Sequence, residues 1–293
     1  MKNLLYKRTT NQRHWVGNGF PVRTIFSYSD IAKDISPFLL MDYGGPHVFT
    51  PTTSRRGVEE HPHRGFETVT IVYDGEVTHQ DSAGGGGTIK SGDVQWMTAA
   101  SGLVHEEFHG DSFTKSGGNF EMVQLWVNLP AKDKMTKPRY QGITSAQIPQ
   151  VELKNKAGFV RVIAGQFEQK GPAKTFSAIN LWDMRLNQGT KSTYQVPNGH
   201  TCALFVLSGK IRLENNETVG EAELAVLNPN GTEFQVEALT DAKVLFLGGA
   251  PLKEPIVGHG PFVMNSVAEI NQAIMDYQAG LMGKLERIEG SEK

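Results

Sequence analysis

Two short segments carry the side chains best suited to bind a metal ion. One residue separates His61 from His63, and one residue separates His105 from Glu107. On an extended strand alternate side chains point to the same face, so each pair can direct its donor atoms at one point. Three imidazoles and one carboxylate suit a divalent transition metal. The spacing therefore predicts one mononuclear site, with Glu107 also as the candidate general base because a ligand carboxylate has a second oxygen.

The donor set narrows the metal to the first-row divalent ions. Fe(II) is our first choice, and Mn, Ni, Cu, Co and Zn remain alternatives because affinity order alone does not select among them. Four protein ligands on an octahedral metal would leave two positions for water, substrate or dioxygen. Either pair alone is a weak signal, and it is the presence of both at strand spacing, near glycine turns, that supports the site.

The segments that must position these pairs have the pattern of short strands. Residues 67–73 are rich in Thr, Val and Ile, end at Asp74-Gly75, and are followed by a second strand from Glu76. The run from Gly84 to Gly87 predicts a hairpin rather than a phosphate loop, because no glycine directly precedes Lys90. The chain is therefore predicted to be rich in strands and tight turns.

One segment near the end of the chain departs from this pattern. Ser266 and Glu269 have the spacing of a capping box, in which the two side chains bond the free N–H groups of a helix start. Apolar residues then recur every three to four positions, which predicts one amphipathic helix packed across the barrels. These apolar residues are Val267, Ile270, Ile274, Tyr277 and Leu281.

The strand pattern occurs twice along the chain. When Gly75 is aligned with Gly209, both halves show a strand, a glycine turn, a strand, an acidic turn and a strand. We therefore predict a metal-binding barrel over residues 1–135, a linker over residues 136–149, and a second barrel over residues 150–293 that ends in the helix.

The second copy lacks the candidate ligands. In this alignment His61 corresponds to Gln195 and His63 to Pro197. The positions of His105 and Glu107 are likewise replaced, and we expect no metal in the second barrel. The replacing residues are Phe234 and Val236.

Composition excludes several other classes of protein. The 293 residues carry 29 basic and 31 acidic side chains, a formal net charge of −2, so direct nucleic-acid binding gains no electrostatic support. Cys202 is the only cysteine, which excludes an intramolecular disulfide and a thiolate cluster. We find neither a signal-peptide core nor an apolar run of the roughly 18 residues that a membrane helix needs, and we expect a cytoplasmic protein.

Four motifs resemble those of the pirin family, a branch of the cupins. The first is the segment from His61 to Val69, HPHRGFETV, and the second is GDVQWMTA at 92–99 followed by GLVHEE at 102–107. QLWVNL at 124–129 and HGPFVMN at 259–265 also match. The resemblance spans nearly the whole chain and implies an all-β fold of two cupin (jelly-roll-like) barrels in tandem, with a C-terminal helix.

The resemblance also implies roles for individual residues. The family's metal ligands correspond to His61, His63, His105 and Glu107. Many other cupins use a first-motif glutamate, here Glu67, as a ligand. The pirin pattern does not, so we expect Glu67 to support the site or the fold. Phe66 is expected at the pocket mouth or in the core, and His109 near the site or as a polar loop residue. We expect a functional role even less for His79 and His200 than for His109.

The activity implied by the resemblance is that of a quercetin 2,3-dioxygenase. In that chemistry the metal acts as a Lewis acid on a deprotonated flavonol 3-hydroxyl, Glu107 takes the proton, and dioxygen opens the ring. The alternative, also found in the family, is a metal-dependent regulatory protein that acts through protein partners. In either case the family implies a monomer.

Overall fold

A computed structural model describes residues 1–285 of the protein. The regular secondary structure of these residues is mostly short β-strands. Residues 286–293, which end the predicted second barrel, lie outside the described residues. No helix of the described part is long and apolar enough to cross a membrane. The strands are β1 Leu4–Thr9, β2 His14–Val16, β3 Phe20–Phe26, β4 Phe38–Phe49, β5 Gly57–His63, β6 Phe66–Asp74, β7 Glu76–Asp81, β8 Gly86–Lys90, β9 Val94–Thr98, β10 Leu103–His109, β11 Gly118–Asn128, β12 Arg139–Ile143, β13 Gln150–Glu152, β14 Gly158–Ala164, β15 Gln166–Phe167, β16 Gln169–Lys170, β17 Ile179–Leu186, β18 Lys191–Gln195, β19 Thr201–Ser208, β20 Ile211–Arg212, β21 Thr218–Val219, β22 Glu223–Leu227, β23 Glu233–Ala238, β24 Ala242–Gly249, β25 Val257–His259 and β26 Phe262–Met264. The helices are α1 Asp111–Ser116 and α2 Val267–Gln278, with four short 3-10 helices at Ala131–Asp133, Ser145–Gln147, Lys154–Lys156 and Glu214–Asn216.

The chain forms two compact units that are not consecutive in sequence. The first, which we call the closed unit, combines Met1–Gln12, Arg23–Tyr43 and Ile143–Lys253. The second, the histidine unit, combines Arg13–Val22, Gly44–Gly142 and Glu254–Lys293. These units differ from the consecutive stretches 1–135 and 150–293, since Met1–Gln12 falls in the unit with most of the second half and the segment from Glu254 falls in the unit with most of the first half. Only the break after residue 142 falls within the predicted linker, which contains strand β12. The division of the chain into two consecutive domains, 1–135 and 150–293, stays a prediction.

In the closed unit a seven-stranded sheet has the order β1-β22-β19-β24-β17-β14-β13, and a four-stranded sheet has the order β18-β23-β20-β21. Strand β19 reads TCALFVLS and is buried along nearly its whole length, as expected for a β-branched and aromatic segment covered on both faces. Large apolar side chains fill the interior, which leaves little room for a polar site. They include Trp182, Tyr194, Phe234 and Phe246.

The histidine unit contains the four-stranded sheet β5-β10-β7-β8. The other sheet has the order β12-β9-β6-β11-β4-β3-β2, and the unit boundaries at 22/23 and 43/44 fall inside strands β3 and β4. Strand β10 lies between β5 and β7, so it is hydrogen-bonded on both sides. This central strand carries His105 and Glu107.

The turn at Asp74-Gly75 joins two strands, as predicted, but does not make a hairpin. Strand β6 pairs with β9 and β11, whereas β7 pairs with β8 and β10, so the chain passes from one sheet to the other at Gly75. Gly75 has φ +93°, and a Cβ there would lie 2.8 Å from the Phe120 ring. Gly209, with φ +82°, occupies the same kind of corner between β19 and β20. The repeat seen in the sequence is therefore a repeat of sheet-to-sheet corners.

Helix α2 begins at the predicted capping residue. Ser266 Oγ accepts from the backbone N–H of Glu269, and the Glu269 carboxylate accepts from the backbone N–H of Asn265. The buried side chains of the helix are Ile270 and Ala273. The predicted apolar face is thus only partly buried, because three of its members are exposed: Val267 at 65%, Tyr277 at 39% and Leu281 at 71%.

Candidate metal centre

The histidine pairs face each other across two neighbouring strands. In the antiparallel register of β10 and β5, His105 lies opposite His61 and Leu103 lies opposite His63. The register shifts between His105 and Glu107, where Glu107 pairs with Val58, so β5 carries an extra residue at this point. Such an irregularity redirects side chains locally. Strand alternation and this register together place three imidazoles on one inner face.

The three imidazoles converge on a small volume. Ring centroids are 4.2 Å apart for His61 and His105, 4.8 Å for His63 and His105, and 4.9 Å for His61 and His63. One ring nitrogen of each lies within 4.8 Å of the others. His63 and His105 are buried, and His61 is half-buried. Of the three imidazoles, His61 is therefore the one that solvent reaches.

The hydrogen bonds of these rings show which nitrogens are left for a ligand. His61 Nδ1 lies 2.8 Å from the Glu59 carbonyl, and His63 Nδ1 lies 3.4 Å from the Pro261 carbonyl. A carbonyl only accepts, so both Nδ1 atoms carry the proton and both Nε2 atoms present a lone pair. His105 Nε2 is buried and has no hydrogen-bond partner among the described residues. An unpartnered buried nitrogen beside two Nε2 lone pairs fits a metal ion.

The surroundings of His63 and His105 favour the neutral form of these two buried imidazoles. Burial lowers the pKa of His63 and of His105 well below the usual value, and the neighbouring His61 adds to the effect in both cases. Metal coordination requires the unprotonated nitrogen, so neutral rings are ready to act as ligands. The residues present therefore fit a divalent metal.

Glu107 lies near His105 but belongs to a second grouping. Its carboxylate is within 4.8 Å of donor nitrogens of His79 and His105, whereas the first grouping contains His61, His63 and His105. Glu107 as the fourth ligand therefore remains a prediction.

The Glu107 carboxylate is also held by two side-chain amides. Oε1 accepts from Gln95 Nε2 at 3.1 Å, and Oε2 accepts from Gln124 Nε2 at 3.0 Å. The single proton of the Thr70 hydroxyl is directed at Gln124 Oε1, 2.8 Å away. Oε2, the carboxylate oxygen that we expected to be free, thus already accepts one hydrogen bond. A carboxylate oxygen can accept more than one. The two amide donors fix the orientation of the carboxylate.

Phe66 and Glu67 lie next to each other in strand β6 but have different surroundings. Phe66 is fully buried, stacks on Trp126 with ring centroids 4.3 Å apart, and contacts the edge of His63 at 5.1 Å. Glu67 is 1% exposed and accepts from Thr98 Oγ1 at 2.7 Å. Burial raises its pKa to about 7, opposed by hydrogen bonds and by Arg139. Phe66 therefore supports His63 from the core, and Glu67 is outside both histidine groupings.

His109 follows His105 and Glu107 on the same face of strand β10, further along the barrel. Its Nε2–H donates to the Gly19 carbonyl at 2.8 Å. The ring stacks on Phe120 at 4.9 Å and contacts the edge of Phe49 at 4.5 Å. Burial lowers its pKa to about 4. His109 is packed among phenylalanines, and among the described residues neither histidine grouping includes it.

Sequence reasoning missed His79 and Asp81. Both are buried, at 1% and 5% exposure, and lie on β7 opposite Glu107 and His105. His79 Nε2 lies 3.0 Å from Asp81 Oδ2, and His79 Nδ1 lies 3.2 Å from His105 Nδ1. Burial would raise the pKa of Asp81, but hydrogen bonds from His79 and backbone N–H groups lower it on balance. The inward alternation of Val77, His79 and Asp81 was the available signal.

The corresponding part of the closed unit is filled with aromatic rings. Phe234, at the position aligned with His105, pairs across the strands with Tyr194 rather than with Gln195. The alignment by sequence is therefore off by one residue for this strand. Tyr194 and Phe234 stack at 5.0 Å, and Phe234 stacks on Phe246 at 5.1 Å. Among the described residues, both groupings with metal-ligand spacing lie in the histidine unit.

Two β-sheet units, one with a convergent histidine cluster and one with an apolar interior, define a bicupin-type metalloprotein. Comparison with known proteins makes this assignment specific. The pirin family model matches residues 19–127, and the model of the pirin C-terminal cupin domain matches residues 181–283. The chain belongs to the pirin family, which confirms the expected fold class of two cupin domains with a C-terminal helix.

Individual relatives agree over nearly the full length. A putative quercetin 2,3-dioxygenase of Pseudomonas aeruginosa is 54% identical over 96% of this chain and 98% of its own length. A pirin-like protein of Solanum lycopersicum is 35% identical over 96% of this chain and 93% of its own. The crystal structure of a quercetin 2,3-dioxygenase from Acinetobacter baumannii superposes with a TM-score of 0.95, at 52% identity, covering 97% of this chain and 99% of that one.

Proposed function

We propose that the protein is a metal-dependent dioxygenase of the quercetin 2,3-dioxygenase type, with His61, His63, His105 and Glu107 as ligands of one Fe(II) ion. The observation that carries the proposal is the convergence of three imidazoles, each with one ring nitrogen within 4.8 Å of the others, whose Nδ1 atoms all have hydrogen-bond partners. The names of the relatives supply the substrate class, a flavonol with dioxygen. When bound, the metal would act as a Lewis acid on the flavonol 3-hydroxyl.

The chain's own residues have separate parts in this proposal. Glu107 accepts the proton of the substrate hydroxyl, and Gln95 and Gln124 hold its carboxylate in place through their amide N–H groups. Phe66 and Trp126 exclude water from the back of His63. The half-buried His61 marks the side from which substrate approaches.

A matched pair of variants tests the role of Glu107. Glu106 is the next residue and points to the other face, where it forms an ion pair with Arg55 at 2.9 Å. Glu107→Gln should lower quercetin turnover by about 100-fold or more, since general acid–base groups contribute 10²–10⁴-fold. Glu106→Gln should leave turnover within about twofold, as surface ion pairs contribute little. The assay follows loss of quercetin absorbance and release of carbon monoxide, with and without air.

The identity of the metal needs a separate measurement. Protein purified without added metal should contain about one equivalent of iron by elemental analysis, and Fe(II) should restore turnover to chelator-treated protein. Absence of turnover with Fe, Mn, Ni, Cu, Co and Zn in turn, by protein that binds them, would rule out the dioxygenase and favour the regulatory alternative.

A further inference from the structure

His79 is a buried histidine directly behind a proposed ligand. Its Nδ1 lies 3.2 Å from His105 Nδ1, and its Nε2 lies 3.0 Å from Asp81 Oδ2. All three side chains are at most 5% exposed. A line of hydrogen bonds therefore runs from a carboxylate through one imidazole to another, and it ends at the unpartnered His105 Nε2.

The proton positions along this line follow from what each atom can do. Asp81 Oδ1 accepts from the backbone N–H groups of Ala83 and Gly85, each at 2.9 Å, and Oδ2 faces His79. A carboxylate that accepts on both oxygens requires the His79 Nε2 to carry its proton. With its proton on Nε2, His79 presents a lone pair on Nδ1, so the facing His105 Nδ1 is the donor.

We infer that Asp81 and His79 form a positioning pair, which holds His105 in the Nδ1–H tautomer and aims its Nε2 lone pair at the metal. The inference rests on the proposed metal site but not on the proposed reaction. Outer partners of this kind are a general feature of histidine ligands, because the atom bonded to the second nitrogen sets the tautomer and the ring orientation.

The position of His105 in its strand explains why its Nδ1–H group donates to a side chain rather than to a backbone carbonyl. His61 and His63 take their tautomers from the backbone carbonyls of Glu59 and Pro261. His105 lies in the middle of β10, between β5 and β7, where backbone carbonyls are used in the two ladders. The Nδ1 atom of His79, on the neighbouring strand β7, therefore accepts the hydrogen bond that a free backbone carbonyl would otherwise accept.

The pair is itself held rigidly. The Tyr140 ring stacks on His79 with centroids 5.2 Å apart and planes 11° from parallel. Asp81 is fixed by the loop that it caps, and that loop requires Gly85, because a Cβ there would lie 2.3 Å from Asp81 Oδ2. His79 therefore has little freedom to turn away from His105.

Asp81→Asn tests the pair with little change of shape. The amide oxygen can keep the bonds to Ala83 and Gly85, while the amide N–H₂ replaces the acceptor that faces His79. His79 would then carry its proton on Nδ1, and His105 would be driven to the Nε2–H tautomer. Cobalt(II) affinity, measured by competition with a chelator, should fall about 10- to 100-fold. Asp93→Asn is the control, because Asp93 caps another turn by accepting from Lys90 N, and it should leave affinity unchanged.

Nitrogen-15 NMR of the imidazoles in metal-free protein gives a readout independent of activity. Wild type should show His105 protonated at Nδ1, and Asp81→Asn should show it protonated at Nε2. His79→Asn, which keeps an acceptor near the Nδ1 position, should retain more cobalt(II) affinity than His79→Leu.

A His105 protonated at Nε2 in wild type, or unchanged cobalt(II) affinity in both Asp81→Asn and His79→Leu, would overturn the positioning pair. If wild type binds no cobalt(II), the proposed metal site fails and the positioning pair fails with it. If cobalt(II) affinity and the tautomer change as expected while wild type shows no quercetin turnover, the proposed reaction fails and the positioning pair stands.

Discussion

Arg64 Nη1 donates to Asp276 Oδ2 over 2.7 Å, and this ion pair joins the residue after His63 to helix α2. Arg64 also donates through Nε to the Ser101 carbonyl, and its backbone pairs with Pro261 and Val263. The segment that bears His63 is thus anchored by the C-terminal part of the chain.

Asp276→Asn should weaken this anchor. The Arg64 side chain is 5% exposed, so loss of its charged partner leaves a buried guanidinium poorly satisfied, at a cost of about 1–3 kcal/mol. Urea unfolding of metal-free protein should show the decrease. Gln272→Ala, which removes an exposed bond to the other Asp276 oxygen, should change stability by no more than about 0.5 kcal/mol. Equal unfolding midpoints for Asp276→Asn and wild type would argue against the anchor.

Glu67 should make stability depend on pH. Burial raises its folded-state pKa from 4.5 to about 7, so the folded protein binds the proton more tightly than the unfolded chain. Its stabilising contribution is complete below pH 4.5 and is lost as pH rises through 7, by about 3 kcal/mol. Glu67→Gln cannot ionise and should lose less stability over this range.

The measurement is the difference in unfolding free energy between Glu67→Gln and wild type, in chelator, from pH 4.5 to 8. The difference should grow with pH. Glu221→Gln, which changes an exposed carboxylate, should give a flat difference. A flat difference for Glu67→Gln as well would show that burial does not hold this carboxyl protonated.

Phe234 should contribute stability without affecting metal binding. The ring is 1% exposed and stacks between Tyr194 and Phe246 in the closed unit. Phe234→Ala should cost about 3–5 kcal/mol through lost transfer energy and a residual cavity. Calorimetry would show the lower stability, while elemental analysis should show the same metal content as wild type. Loss of metal from folded Phe234→Ala protein would indicate a site in the closed unit.

The sequence allowed prediction of features that depend on local geometry. His61 and His63 share a face because a strand alternates, and the Ser266 cap follows from spacing within one helical turn. The two cupin domains followed from turn glycines that recur in order, since Gly75 and Gly209 both mark sheet-to-sheet corners.

Features that depend on pairing between distant strands were not predictable. The contact between His79 and His105 requires the register of β7 against β10, which no local pattern specifies. The correct partner of Phe234 was missed for the same reason, since a one-residue slip exchanges Tyr194 for Gln195. The exposure of Val267 and Tyr277 likewise depends on what the helix packs against, not on its own periodicity, and Leu281 lies beyond the end of the helix.

The most direct test of the metal centre is anomalous diffraction from crystals of the protein loaded with one equivalent of Fe(II). We expect one strong peak within coordination distance of Nε2 of His61, His63 and His105, with a Glu107 oxygen as the fourth protein ligand. A peak bound instead between His79 and His105, or no peak near the three histidines, would contradict it.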